Sequence, residues 1–278
     1  MPQIPIQTLS LFPKLDQLLL ELLHSLYPED WEKPTIAPLW NVKDIATHLL
    51  DGNLRTLSML RDGYFGESPG DINGYQDLVK YLNRLNSDWV NVMKRLSPNV
   101  LVQLLESSGK EYIGFLNTLD PFEKAAFSVA WAGETESQNW FHIAREYTEK
   151  WHHQQQIRLA VGKEEILYNK EFYDAFLQTS LRALPYHYRD LTGKEGEVIR
   201  VTVEGESNWN WWIIFNSNSW KRIENPTTNP VSQVIIPAQI AWRIFTKGIS
   251  KVEAKSQISI SGKQEYGEKI LGMLTVMA

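Results

Sequence analysis

The chain contains no cysteine. That single absence excludes disulfides, iron–sulfur ligation, zinc knuckles and a cysteine nucleophile. Any thiol chemistry would have to use a thiol carried by a small molecule. A block of like charge is also missing: 28 Lys and Arg stand against 33 Asp and Glu, giving a net charge of −5 spread along the sequence. Nucleic-acid binders carry a concentrated basic footprint, so nucleic acid is not expected as a partner. No apolar run approaches the roughly 20 residues that span a bilayer. The first residues, MPQIPIQTLSLFPKLDQ, lack the basic region and apolar core of a secretory signal. The expectation is a cytoplasmic protein with no membrane partner, monomeric or homodimeric.

What is present suits a folded core. The 278 residues are 43% hydrophobic and 22% charged, enough for one large domain or two ordinary ones. Tryptophan is abundant at 11 residues, which suggests either aromatic-lined pockets or thick packing between elements.

The first part reads as helices. Leu11, Leu15, Leu18, Leu19, Leu22, Leu23 and Leu26 recur at helical spacing between Thr8 and Leu26. A second helix begins at Asn41, with Asp44 placed for a capping box, and stops near Gly63. A third fits residues 75 to 96, a fourth runs from Pro98 to about Leu119, and a long one spans Gln138 to Val161 and ends at Gly162. This predicts a helical bundle over residues 1–165. After it the pattern changes. A helix is expected over Glu171–Leu184, then strands at VIRVTVEG, NWNWWIIFN and WKRIE, the helix AQIAWRIFTKG, a strand at AKSQISISG and a closing helix EYGEKILGML. The fold class is therefore multi-domain, an all-α bundle followed by a small α+β domain over residues 170–278.

Three of the six histidines lie in the long helix NWFHIAREYTEKWHHQQQIR. At about 100° per residue, His142, Glu149 and His153 fall within roughly 40° of one another, Glu146 lies beside them, and His152 points roughly 100° away from His153. A Glu and a His four apart can share one ion on a helical face, but need a third ligand from a neighbouring helix. His48 is the best candidate, because it accompanies Ile45, Leu49 and Gly52 on the side of the second helix expected to face inward. Two His and one carboxylate suit a catalytic divalent ion, with zinc the default and nickel fitting the same ligands. A hydrogen-bonded core histidine and a solvated Glu/His face are the alternatives.

At these residues a resemblance becomes specific. PLWNVKDIATHLLDGNLRTLSMLRDG is similar to the second-helix signature of the DinB-like superfamily, and in particular of its mycothiol-dependent maleylpyruvate isomerase branch. REYTEKWHHQQQIRLAVG resembles the last bundle helix of that branch. Aligning Ile157, Arg158 and Gly162 puts the branch's metal-ligating Glu and His on Glu149 and His153, the register that the helical face also selects; His152 is the runner-up. SLRALPYHYRD, the VTVEG and WNWWIIF strands and AWRIFTKG resemble the sterol-carrier-like domain of that branch. Gln156 departs from the pattern, standing where an acidic residue usually follows the ligand His.

The resemblance implies a DinB-like four-helix bundle with a metal at His48, Glu149 and His153, followed by the sterol-carrier-like domain. It also implies a metal-bound low-molecular-weight thiol, such as mycothiol or bacillithiol, acting on a small electrophilic substrate in an isomerisation or S-transfer. Arg243 is the expected clamp for a substrate carboxylate. Trp40 and Trp131 are expected to line a pocket at the mouth of the bundle. Glu146 is expected either as a base near the metal or as an ion-pair partner of Lys150. A metal-dependent hydrolase and a non-catalytic metal-binding stress protein stay open as other classes.

Overall fold

In the computed structural model, which describes residues 2–276, the chain divides into two compact units. Residues up to 126 together with 138–164 form a helical unit, and residues 127–137 with 165–276 form a unit built on a mixed sheet. Met1, Met277 and Ala278, at the ends of the expected domains, lie outside the described residues. Among the described residues no helix is long and apolar enough to cross a membrane.

The helical unit contains α1 (Phe12–His24), α2 (Val42–Thr56), α3 (Tyr75–Met93), α4 (Pro98–Leu116) and α5 (Asn139–Ala160). Helix α2 packs against α3, α4 and α5, while α1 packs against α4 and α5. The leucine spacing read in α1 explains its place, since Leu15, Leu19, Leu22 and Leu23 are all buried, each burial stabilising by about 2 kcal/mol. Leu19, Leu22 and Leu23 meet Ile45 and Leu50 of α2 in one core cluster.

The starts of α2 to α5 follow the sequence closely and their ends less so, whereas α1 begins at Phe12, after a 3-10 turn at Leu9–Leu11, and not at Thr8. Ser97 caps α4 by accepting from the Val100 N–H, with Pro98 in the first turn. Helix α2 stops at Thr56 and passes through one π-type turn, Leu57–Arg61, before Gly63. Helices α3 and α4 end three residues earlier than expected, so Leu96 and Leu119 lie in turns. Helix α5 ends in a Schellman closure: Gly162 takes φ +67°, Lys163 N donates to Arg158 O (2.8 Å) and Gly162 N to Leu159 O (3.3 Å).

The second unit holds a five-stranded sheet in the order β3-β2-β1-β4-β5, formed by β1 (Val198–Glu204), β2 (Asn208–Asn216), β3 (Ser219–Ile223), β4 (Ser232–Pro237) and β5 (Ser259–Gly262). All neighbours are antiparallel except β1 and β4. Trp209, Trp211, Ile213 and Phe215 alternate onto one buried face of β2. Ser217 and Asn218, at φ 52° and 62°, turn β2 into β3 as a two-residue hairpin.

Four expectations need correction. The helix read over Glu171–Leu184 is α6 (Lys170–Ser180), followed by a 3-10 turn and the short α7 (Leu184–His187). Pro185 does not end a helix but opens α7, where its missing N–H costs nothing. SQVIIP, unread as a strand because proline flanks so short a run, forms β4 beside β1. Only the end of AKSQISISG is a strand, since Ser250 caps a helix, α9 (Lys251–Gln257), following α8 (Ala238–Phe245). The closing segment is a short helix, α10 (Gln264–Glu268), and a 3-10 turn rather than one long helix.

Candidate metal centre

Two helices of the helical unit carry the site. Helix α2 is set by a reciprocal cap: Asn41 Oδ1 accepts from Asp44 N (2.9 Å) and Asp44 Oδ2 accepts from Asn41 N (3.2 Å). With the start fixed, Ile45 and Leu49 turn into the core, at 0% and 3% exposure, and His48 lies between them. Helix α5 buries sixteen of its 22 residues, many of them polar. It therefore lacks the solvent face of an ordinary amphipathic helix, and its polar side chains must find partners inside the protein.

His48, Glu149 and His153 are brought together. The His48 and His153 rings lie 4.6 Å apart between centroids, and His153 Nε2 is 3.6 Å from Glu149 Oε2. His48 Nδ1 is buried with no hydrogen-bond partner, an arrangement that costs energy unless something else satisfies it. His152 is also close. Its ring lies 3.9 Å from that of His153, and Glu149, His152 and His153 each offer a ligand atom within 4.8 Å of the other two. His48 is not one of that tightest group. The helical-wheel separation of His152 from His153 is thus overridden by the side chains, whose rings swing together beyond their diverging Cβ positions.

Hydrogen bonds define the tautomers. His152 Nδ1 lies 2.9 Å from Thr148 O, and a carbonyl only accepts, so Nδ1 carries the proton. His153 Nδ1 lies 2.9 Å from Gln156 Oε1. Each ring therefore keeps a lone pair on Nε2. Burial, and then the neighbouring His153, pushes His48 well below the usual histidine range. Burial likewise lowers His152 to about 4. For Glu149, burial pulls the pKa up, but His152 and His153 outweigh it and bring the carboxyl to about 2. At neutral pH His48 and His152 are uncharged donors and Glu149 is ionised.

A buried polar network stands beside the site. Glu146 is not paired with Lys150: it accepts from Tyr112 Oη (3.0 Å) and from Arg145 Nη2 (3.1 Å). Both carboxylate oxygens are therefore engaged, which leaves Glu146 poorly placed as a free base. Lys150 instead donates to Leu49 O (3.2 Å) and to Asn53 Oδ1, and its ammonium lies 4.7 Å from the Tyr112 ring centroid. Asn53 in turn donates to Ser108 Oγ (3.0 Å). Arg145 also donates to His142 Nδ1 (2.6 Å), so His142 faces this network and not the Glu149–His153 pair. Tyr112, Asn53 and Ser108 escaped the sequence reading, because their chemistry appears only once α4 lies beside α2.

Trp40 adjoins the site, 4.9 Å from the His48 ring and 6.4 Å from His153. Trp131 does not belong to the helical unit. It sits in a 3-10 turn, Ala130–Ala132, grouped with the sheet unit. Arg243 lies on α8 of that same unit, over the Trp242 ring, with its Nε buried and unpartnered.

The donor set fits a divalent ion. Imidazole nitrogens with free lone pairs, one ionised carboxylate and an unsatisfied buried histidine nitrogen are the ligands that zinc and similar first-row ions take.

Known proteins supply an independent comparison. The sequence profile of the family described as "Mycothiol maleylpyruvate isomerase N-terminal domain" matches residues 12–158. A solved structure of a histidine-to-alanine mutant of the mycothiol-dependent maleylpyruvate isomerase is similar at 10% identity with a TM-score of 0.49, covering 94% of this chain and 96% of that one. No curated protein matches the chain.

Proposed function

Because the chain belongs to the mycothiol maleylpyruvate isomerase N-terminal domain family, we propose that it is a metal-dependent enzyme of the maleylpyruvate-isomerase-like class. In this reading it uses a low-molecular-weight thiol, mycothiol, bacillithiol or a relative, to isomerise or S-transfer a small electrophilic substrate. The helical unit is read as a DinB-like bundle and the sheet unit as a sterol-carrier-like domain. His48, Glu149 and His153 would hold the metal, zinc or nickel, and the observation that carries this is the orphaned Nδ1 of His48 beside the His153 ring. When bound there, the ion supplies positive charge that stabilises a thiolate at neutral pH.

The chain's own residues supply the rest. Glu149 contributes one negative charge and His48 neutral donor capacity. Trp40 shields the two rings on one side and offers a flat apolar surface to a ligand. Tyr112 and Arg145 hold Glu146, and through it the turn of α5 that bears Glu149. With no cysteine in the chain, the thiol must arrive with the cofactor. Arg243 is proposed as a residue that binds a carboxylate, and Trp131, like Trp40, as one that lines a pocket for the cofactor.

A second set, Glu149, His152 and His153, is favoured by their closely gathered ligand atoms. Metal content by plasma mass spectrometry, on protein purified without a metal-affinity tag, separates the two. We expect one equivalent in wild type, lost in His48→Ala and His153→Ala and kept in His152→Ala. Loss in His152→Ala with retention in His48→Ala would transfer the third position to His152. Turnover of an electrophile without added thiol would point to a hydrolase instead.

A further inference from the structure

Gln156 lies one turn beyond His153 on α5 and is buried. Its Oε1 meets His153 Nδ1 at 2.9 Å. Held with Oε1 toward the ring, the amide accepts the proton of Nδ1, and the lone pair is left on Nε2. Nε2 is the atom turned toward Glu149, 3.6 Å from its Oε2. An unconstrained imidazole divides its population between two tautomers, and only one of them offers Nε2 to a metal. An aspartate or glutamate in the same place would select the same tautomer, but it would add a second negative charge to a site that already contains Glu149.

We propose that Gln156 is a positioning residue of the metal centre: it fixes His153 in the tautomer whose Nε2 can ligate, and its neutral amide leaves Glu149 as the one carboxylate of the donor set. The inference rests on the metal reading above. Its chemical consequence is a choice of ligand. A divalent ion facing one carboxylate keeps net positive charge and favours an anion such as a thiolate, whereas a second carboxylate would offset that attraction.

The test uses the full chain in two forms. Nitrogen-15 histidine NMR of the metal-free protein should show His153 protonated at Nδ1 in wild type and divided between tautomers in Gln156→Leu. Zinc affinity, measured by competition with a chromophoric chelator, should fall on the order of 10- to 100-fold in Gln156→Leu. Gln156→Glu should restore both the tautomer and the zinc affinity. After cobalt substitution, however, Gln156→Glu should bind 2-mercaptoethanol, read by the sulfur-to-cobalt charge-transfer band, more weakly than wild type by on the order of tenfold. An unchanged tautomer and zinc affinity in Gln156→Leu, or equal thiol binding in Gln156→Glu, would overturn the proposal. If circular dichroism shows that Gln156→Leu has not folded, the near-isosteric Gln156→Glu decides. A wild type that binds no zinc overturns the metal reading itself; a zinc-binding wild type with indifferent Gln156 variants overturns only the role given to Gln156.

Discussion

His142 shows how a buried histidine can be a liability under acid. Its side chain is 2% exposed, Nδ1 takes a hydrogen bond from Arg145 and Nε2 finds no partner. Burial lowers its pKa from 6.5 to about 4, against the opposing pull of Glu146. The folded pKa lies below the unfolded one, so the stability tied to the neutral ring is complete above about 6.5 and is lost as pH falls through about 4. The loss amounts to about 3 kcal/mol once both states are protonated. Urea midpoints measured between pH 7 and 4 should therefore fall more steeply in wild type than in His142→Gln. Parallel slopes would mean that the ring titrates alike in the folded and unfolded states. His142 also marks a limit of reading single residues. On a wheel it shares the stripe of Glu149 and His153, yet Arg145 takes it away from them, and no spacing rule foretells which of two polar neighbours will claim a side chain.

Among the elements, α2 and α5 depend on their ends. Asn41 sets where α2 begins, and hence which way His48 points seven residues later. Asn41→Ala should cost about 1 kcal/mol, read as a lower urea midpoint. Gly162→Ala should cost at least as much, because φ +67° is open to glycine and strained for alanine. Both variants should retain metal if the ligands are held mainly by the packing of α2 on α5; loss of metal with little loss of stability would show that the helix ends aim the ligands. These ends were legible in the sequence, because a cap is a local contract between residues three or four apart. The strand β4 was not. SQVIIP is six residues bounded by proline, and what makes it a strand is the parallel partner β1, more than thirty residues earlier in the chain. The segment 251–257 shows the same effect in reverse: a serine cap organised as helix what alternation alone read as strand.

For the whole molecule, the sequence disclosed a helical part followed by a mixed α/β part, because hydrophobic period changes after Gly162. It could not disclose that residues 127–137, flanked on both sides by the helical unit, group with the sheet. Grouping of that kind follows from long-range packing and leaves no periodic trace. A ligand that binds the folded state alone stabilises it by mass action, by about 2.7 kcal/mol at a hundredfold excess over its dissociation constant. Zinc added to metal-free protein should accordingly raise the thermal midpoint by several degrees, and the rise should vanish in His153→Ala. An equal rise in that variant would assign the effect to ions bound elsewhere. The burial of α5 on nearly every side has a further meaning, for how such a chain tolerates change over generations. A surface helix offers drift a stripe of permissive positions every third or fourth residue, whereas α5 offers almost none. Across a comprehensive substitution scan it would read as an unbroken intolerant band. Kinship between distant relatives should accordingly persist longest in this helix, after surface helices have lost it.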